Sequence, residues 1–82
     1  MNDNRRLKQA GLLAGLMQQR RDLEQRARLC LDEIESATFV VKSPLALNGH
    51  AVVVAATEFN RILKDAAEVQ GRIDELEEAL GL

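Results

Sequence analysis

Large rings are nearly absent from this chain. Two phenylalanines, no tryptophan and no tyrosine stand among its 82 residues, so it lacks the side chains that usually anchor small cores, grip ligands or stack on bases. Enzyme and RNA-binding readings are weakened alike. Its one histidine, His50, has no second histidine and only a lone cysteine with which to share a metal ion, so zinc sites and histidine-based acid–base chemistry lack partners. That cysteine, Cys30, cannot staple the fold internally, and a single thiol fits a reducing compartment, which makes the cytoplasm the expected location. No apolar run approaches the ~20 residues of a membrane span. Phosphate-cradling glycine loops, nucleophile elbows and paired zinc motifs are missing too. The expectation is a soluble, non-enzymatic protein without catalytic residues, cofactor or metal.

The start of the chain, Asn4-Arg5-Arg6-Leu7-Lys8 followed by Ala10 to Met17, mimics a basic leader and its apolar stretch. The apolar part is very short, and Gln18-Gln19-Arg20-Arg21 follows in place of a small-residue cleavage site, so the segment is read as helix and not as a signal peptide. Proline is confined to Pro44, and Leu, Gln, Arg, Glu and Ala dominate from Asp3 to about Ser36. These unbranched residues lose little rotamer freedom in a helix. Leu13, Leu16, Leu23, Ala27, Cys30 and Ile34 then alternate three and four apart once Arg20 takes the missing position, which is a coiled-coil seam with one polar interruption.

The second segment repeats that spacing without a break through Val52, Ala55, Phe59, Ile62, Ala66, Val69, Ile73, Leu76 and Leu80. Gly71 weakens this helix by ~1 kcal/mol relative to alanine, and Gly81 is a plausible stop. Between the segments, Thr38-Phe39-Val40-Val41-Lys42 prefers extended backbone and Ser43-Pro44 forces a turn. Asn48-Gly49 either turns the chain or caps the second helix. A short ribbon pairing residues 39–42 with 50–54 is the local alternative, and a helix from about His50 is preferred. The whole chain therefore reads as one all-α domain, an antiparallel two-helix coiled-coil hairpin with helices over about 4–36 and 50–80 and a partly extended loop over about 37–49.

Charge argues for the antiparallel orientation. Arg5, Arg6 and Lys8 sit at the positive dipole end of the first helix, and Asp74, Glu75, Glu77 and Glu78 at the negative end of the second, so each helix alone is charged the wrong way round. Folding back sets these mismatches side by side, each exposed pair contributing ~0 to 1 kcal/mol. The implied register places Ile34 near Val52, Cys30 near Ala55, Ala27 near Phe59, Leu23 near Ile62, Leu16 near Val69 and Leu13 near Ile73. Arg20 should meet Ala66 and run its stem outward to Asp65 or Glu68.

One seam hides one row per helix, yet Leu7, Ala10, Ala14 and Met17 form a second row on the first helix, and Val53, Ala56, Leu63 and Ala67 on the second. A homodimer closing a four-helix bundle is the simplest cover, and a chain this small gains stability from it. Gly11 and Gly15, four apart, would let another helix come close beside Leu12 and Leu16, although that spacing has its firmest meaning in membranes. The acidic run at 74–78 lacks the glycine-turned loop of a calcium hand and reads as a solvated face. Cys30, on the seam, reads as a small buried hydrophobe.

Seven basic residues against three acidic ones in residues 1–28 make the best case for nucleic acid. The chain as a whole is net −2, and the acidic second helix alongside would reduce the field that a phosphate backbone feels. The leading expectation is accordingly a protein-binding module, an adaptor, accessory protein or inhibitor. It would dock its partner through an exposed apolar row or through the apolar loop of Phe39, Val40, Val41 and Leu45, with Leu7, Met17 and Arg6 as further contacts. A nucleic-acid accessory protein and a purely structural oligomerisation unit are the alternatives. Phe39 could instead cap the bundle core.

In size and outline the chain resembles several groups of small hairpin proteins. Among them are secretion-system co-chaperones and temperate-phage accessory proteins that bind and inhibit host proteins, such as quorum-sensing anti-activators. The likeness lies in overall shape, so it implies a partner protein, such as a host regulator, and carries over no residue. Small secreted hairpins with a Trp-x-Gly turn are disfavoured, because this loop has Leu47-Asn48-Gly49 and no tryptophan.

Overall fold

A computed structural model describes residues 2–39 and 44–82. Helix α1 runs over Asn2–Phe39, a single 3-10 turn over Pro44–Ala46, and helix α2 over Gly49–Leu80. The helices pack along their length into an all-α hairpin of 66 × 16 × 15 Å. Among the described residues there is no strand, and no helix is long and apolar enough to cross a membrane.

The seam forms the core. Leu13, Leu16, Leu23 and Cys30 of α1 are buried against Ile62, Val69, Ile73 and Leu80 of α2, and Ala55 is buried as well. Ala27, Phe59, Ala66 and Leu76 are half-buried and pack on this cluster, whereas Ile34 and Val52 are half-buried towards the tip of the hairpin. Cys30 is a free, buried thiol, as its place on the seam predicts.

Three cross-helix hydrogen bonds report the antiparallel course, since residue numbers fall on α2 as they rise on α1. Arg6 donates to the carbonyl of Leu80 (3.1 Å), Arg20 to Oε1 of Gln70 (2.7 Å) and Arg26 to Oε1 of Glu58 (2.9 Å). Arg20 thus leaves the seam on the opposite flank from the expected Asp65 and Glu68. A neutral amide there lets the guanidinium bond at once, one turn from the seam, with no carboxylate to desolvate. The basic start of α1 likewise meets the carbonyl end of α2 through Arg6, not the carboxylates of residues 74–78. Carbonyls left without an intrahelical partner carry the negative end of the dipole, so they attract the guanidinium themselves.

Both ends of α2 are closed by local chemistry. Asn48 accepts from the backbone N–H of Ala51 (3.1 Å) as N-cap. Gly81 adopts φ 75°, the left-handed region, while its N–H reaches the carbonyl of Glu78 and that of Leu82 reaches Glu77. Capping by Asn48 carries Val52-Val53-Val54 into helix, so residues 50–54 are not ribbon. The first helix runs further than its composition suggests, taking in Thr38 and Phe39, which were expected to be extended. Thr38 Oγ1 donates back to the carbonyl of Ile34 (2.8 Å), a bond that accommodates a β-branched residue in the last turn. The expected extended stretch over Val40, Val41 and Lys42 lies outside the described residues.

Candidate interaction surface

Seam residues on each helix occur in pairs three apart, such as Leu13 with Leu16 and Ala66 with Val69. Residues one and four places after the first member of a pair turn to one side of the seam, and those two and six places after it turn to the other. Antiparallel packing sets like sides together, so the hairpin has two broad faces of different character.

The first face is polar. A shallow groove there is lined by Gln19, Asp22 and Arg26 from α1 and by Asp65, Glu68 and Arg72 from α2. Arg26 bridges the helices to Glu58 at 2.9 Å, and Arg61 joins Glu58 at 3.4 Å from within α2. Leu12, Leu29 and Val54 interrupt this face and are all more than half exposed. Leu29 and Val54 escape a reading that looks only for seam and second row, and their signal is just an apolar residue two places past a seam position.

The second face carries the predicted second row. Leu7 is 70% exposed, Val53 62%, Leu63 50% and Leu31 41%, while Ala10, Ala14, Ala56 and Ala67 are exposed between them. Of its described polar contacts, Gln70 receives Arg20 and donates to Asp74 (2.9 Å). Leu7 and Ala10 also share a small recess with Arg6 and Leu80 at the open end. Leu31 belongs to this face and was not foreseen.

Several expected contact residues change role. Met17, assigned to the exposed row, is half-buried and packs on the core, because its long flexible side chain folds over the seam edge. Arg6, proposed as a contact for a partner, is bonded to Leu80 within the hairpin. At the tip, Phe39 is 91% and Leu45 97% exposed, so Phe39 does not cap the core; Val41 lies outside the described residues. The pair flanks the turn as apolar projections, with Glu35, Ser36 and Thr38 beside Phe39.

Chemistry finds little foothold. Among the described residues no group of three or more His, Cys, Asp or Glu side chains could hold a metal ion, and His50 is exposed at the start of α2. Of the basic residues that favoured nucleic acid, Arg6, Arg20 and Arg26 are bonded to α2. Comparison with protein-family models, curated proteins and solved structures finds no match.

Proposed function

We propose that the chain is a small cytoplasmic protein-binding module, an adaptor, accessory protein or inhibitor without catalytic activity, that docks other chains through exposed apolar helix surface or through its loop tip and also self-associates. The observation that carries this reading is the contrast between the faces. Charged side chains from both helices run along most of one face, whereas the other carries fewer, among them Arg21, Glu24, Arg28, Asp74 and Glu77, and leaves Leu7, Val53 and Leu63 half or more exposed across both helices. Exposed apolar side chains recurring along one face support an interaction site there. The tip, with Phe39 and Leu45, is a second contact point, where one exposed aromatic can dominate binding.

Leu63→Asp tests the face, because the side chain is half exposed and its replacement leaves the seam intact. The variant should keep its helical circular dichroism, lose its self-association in sedimentation and fail to retain proteins that the parent captures. Unchanged mass and unchanged capture would overturn the proposal.

A further inference from the structure

Resting on the reading of the apolar face as a binding surface, we infer that its occupant is a second copy of this chain, laid face to face with its tip at the opposite end. Surface area supports a cover of this size. The hairpin exposes 6494 Å², whereas a compact monomer of its mass exposes about 4,900 Å². One face of a rod 66 Å by 16 Å spans about 1,000 Å² in projection, so pairing two such faces removes on the order of 2,000 Å² from water in total, the lower end of the range of obligate homodimers. Symmetric pairing covers the whole length of the face on both copies at once, because it uses the same patch twice.

Charge placement selects the orientation. If the tips lay together, α1 would run over α2 of the second copy. Leu7, Ala10 and Ala14 would then press on Asp74 and Glu77 of the second copy, and Arg21, Glu24 and Arg28 on its apolar stretch around Leu63, burying charges without partners. With the tips opposed, α1 lies on α1 and α2 on α2. Full overlap puts the two-fold axis at the middle of the hairpin, near Leu63 on one helix and between Arg21 and Glu24 on the other. Leu63 then meets its own copy. Arg21 faces Glu24 of the second copy twice over, and Asp74 and Glu77 come beside the amino-terminal turn of the second copy's α2, the positive end of its dipole, while Arg28 and Glu35 fall on Met17 and Ala10 of the second copy.

Three measurements on the full chain test this. Sedimentation between micromolar and millimolar concentration should show a dimer. Spin labels on Leu45→Cys, in a Cys30→Ala background whose circular dichroism matches the parent, should lie about the hairpin's length apart, 66 Å, since Leu45 stands clear of the face. Arg21→Glu should weaken the dimer by roughly tenfold, the effect of two like-charge contacts, and Arg21→Glu with Glu24→Arg should restore it. A monomer throughout would overturn the inference and remove self-association from the functional reading, leaving capture of other proteins to the Leu63→Asp test. A dimer whose labels lie within ~30 Å, the result of tips together within one bundle width, would overturn the opposed arrangement alone.

Discussion

Ile73 exposes none of its surface and Ile62 almost none, and among the described residues these are the largest fully buried side chains. So thin a core concentrates stability in few positions. Ile73→Ala removes atoms with no solvent to fill the gap and should cost about 2 to 5 kcal/mol, enough to lower the thermal midpoint sharply or to abolish the folded baseline in a circular dichroism melt. Arg20 poses the opposite case. It stands half-buried at a seam position and satisfies itself through Gln70, an arrangement that orders two long side chains for one hydrogen bond. Arg20→Leu should therefore stabilise the hairpin by about 1 kcal/mol in urea unfolding, through apolar burial without the polar contact. At the tip, Phe39→Ala should leave the melt within about 0.5 kcal/mol of the parent, because so exposed a ring contributes little to packing. Any binding loss in that variant then belongs to the contact and not to the fold.

At the scale of the helix, glycine separates local preference from packing. A Cβ added at Gly11, Gly15 or Gly71 meets nothing within 4 Å, so the hairpin itself gives no reason for a residue that weakens a helix interior. Gly11→Ala and Gly15→Ala should each raise stability by about 1 kcal/mol in thermal unfolding of the monomer. Gly81→Ala should lower it, since the left-handed φ of 75° disfavours a side chain. The two helices and their register were legible in the sequence because the three–four alternation from Leu13 to Ile34 and from Val52 to Leu80 records which side of each helix is buried. The ends of the helices were less so. Thr38 and Phe39 stay helical with the Thr38 hydroxyl donating to the carbonyl of Ile34, a choice that residue preference alone points away from, and the Val52–Val54 run yields to the Asn48 cap. Of the interaction surface, Leu7, Leu63 and Val53 could be read from spacing. Met17 could not, because its length lets it reach the core from a flanking position, and neither could the partners of Arg6 and Arg20, which depend on how long side chains lie across the groove.

For the whole molecule, shape governs stability. A rod 66 Å long and about 16 Å wide leaves most of its side chains beside water, so the hairpin's folding and its association are coupled. The thermal midpoint should rise with protein concentration if the apolar face is covered by a second copy, because any species that binds only the folded chain stabilises it by mass action. Differential scanning fluorimetry across a hundredfold dilution would read that rise, and a midpoint indifferent to concentration would count against self-association.

The bond from Arg6 to the carbonyl of Leu80 places Asn2 and Leu82 at one end of the rod and Phe39 at the other. A fluorescent label or affinity handle attached near either of those two residues therefore emerges far from its own hairpin's turn. In the opposed dimer the same handle stands beside Phe39 and Leu45 of the second copy, so it crowds that copy's turn and reports directly on association.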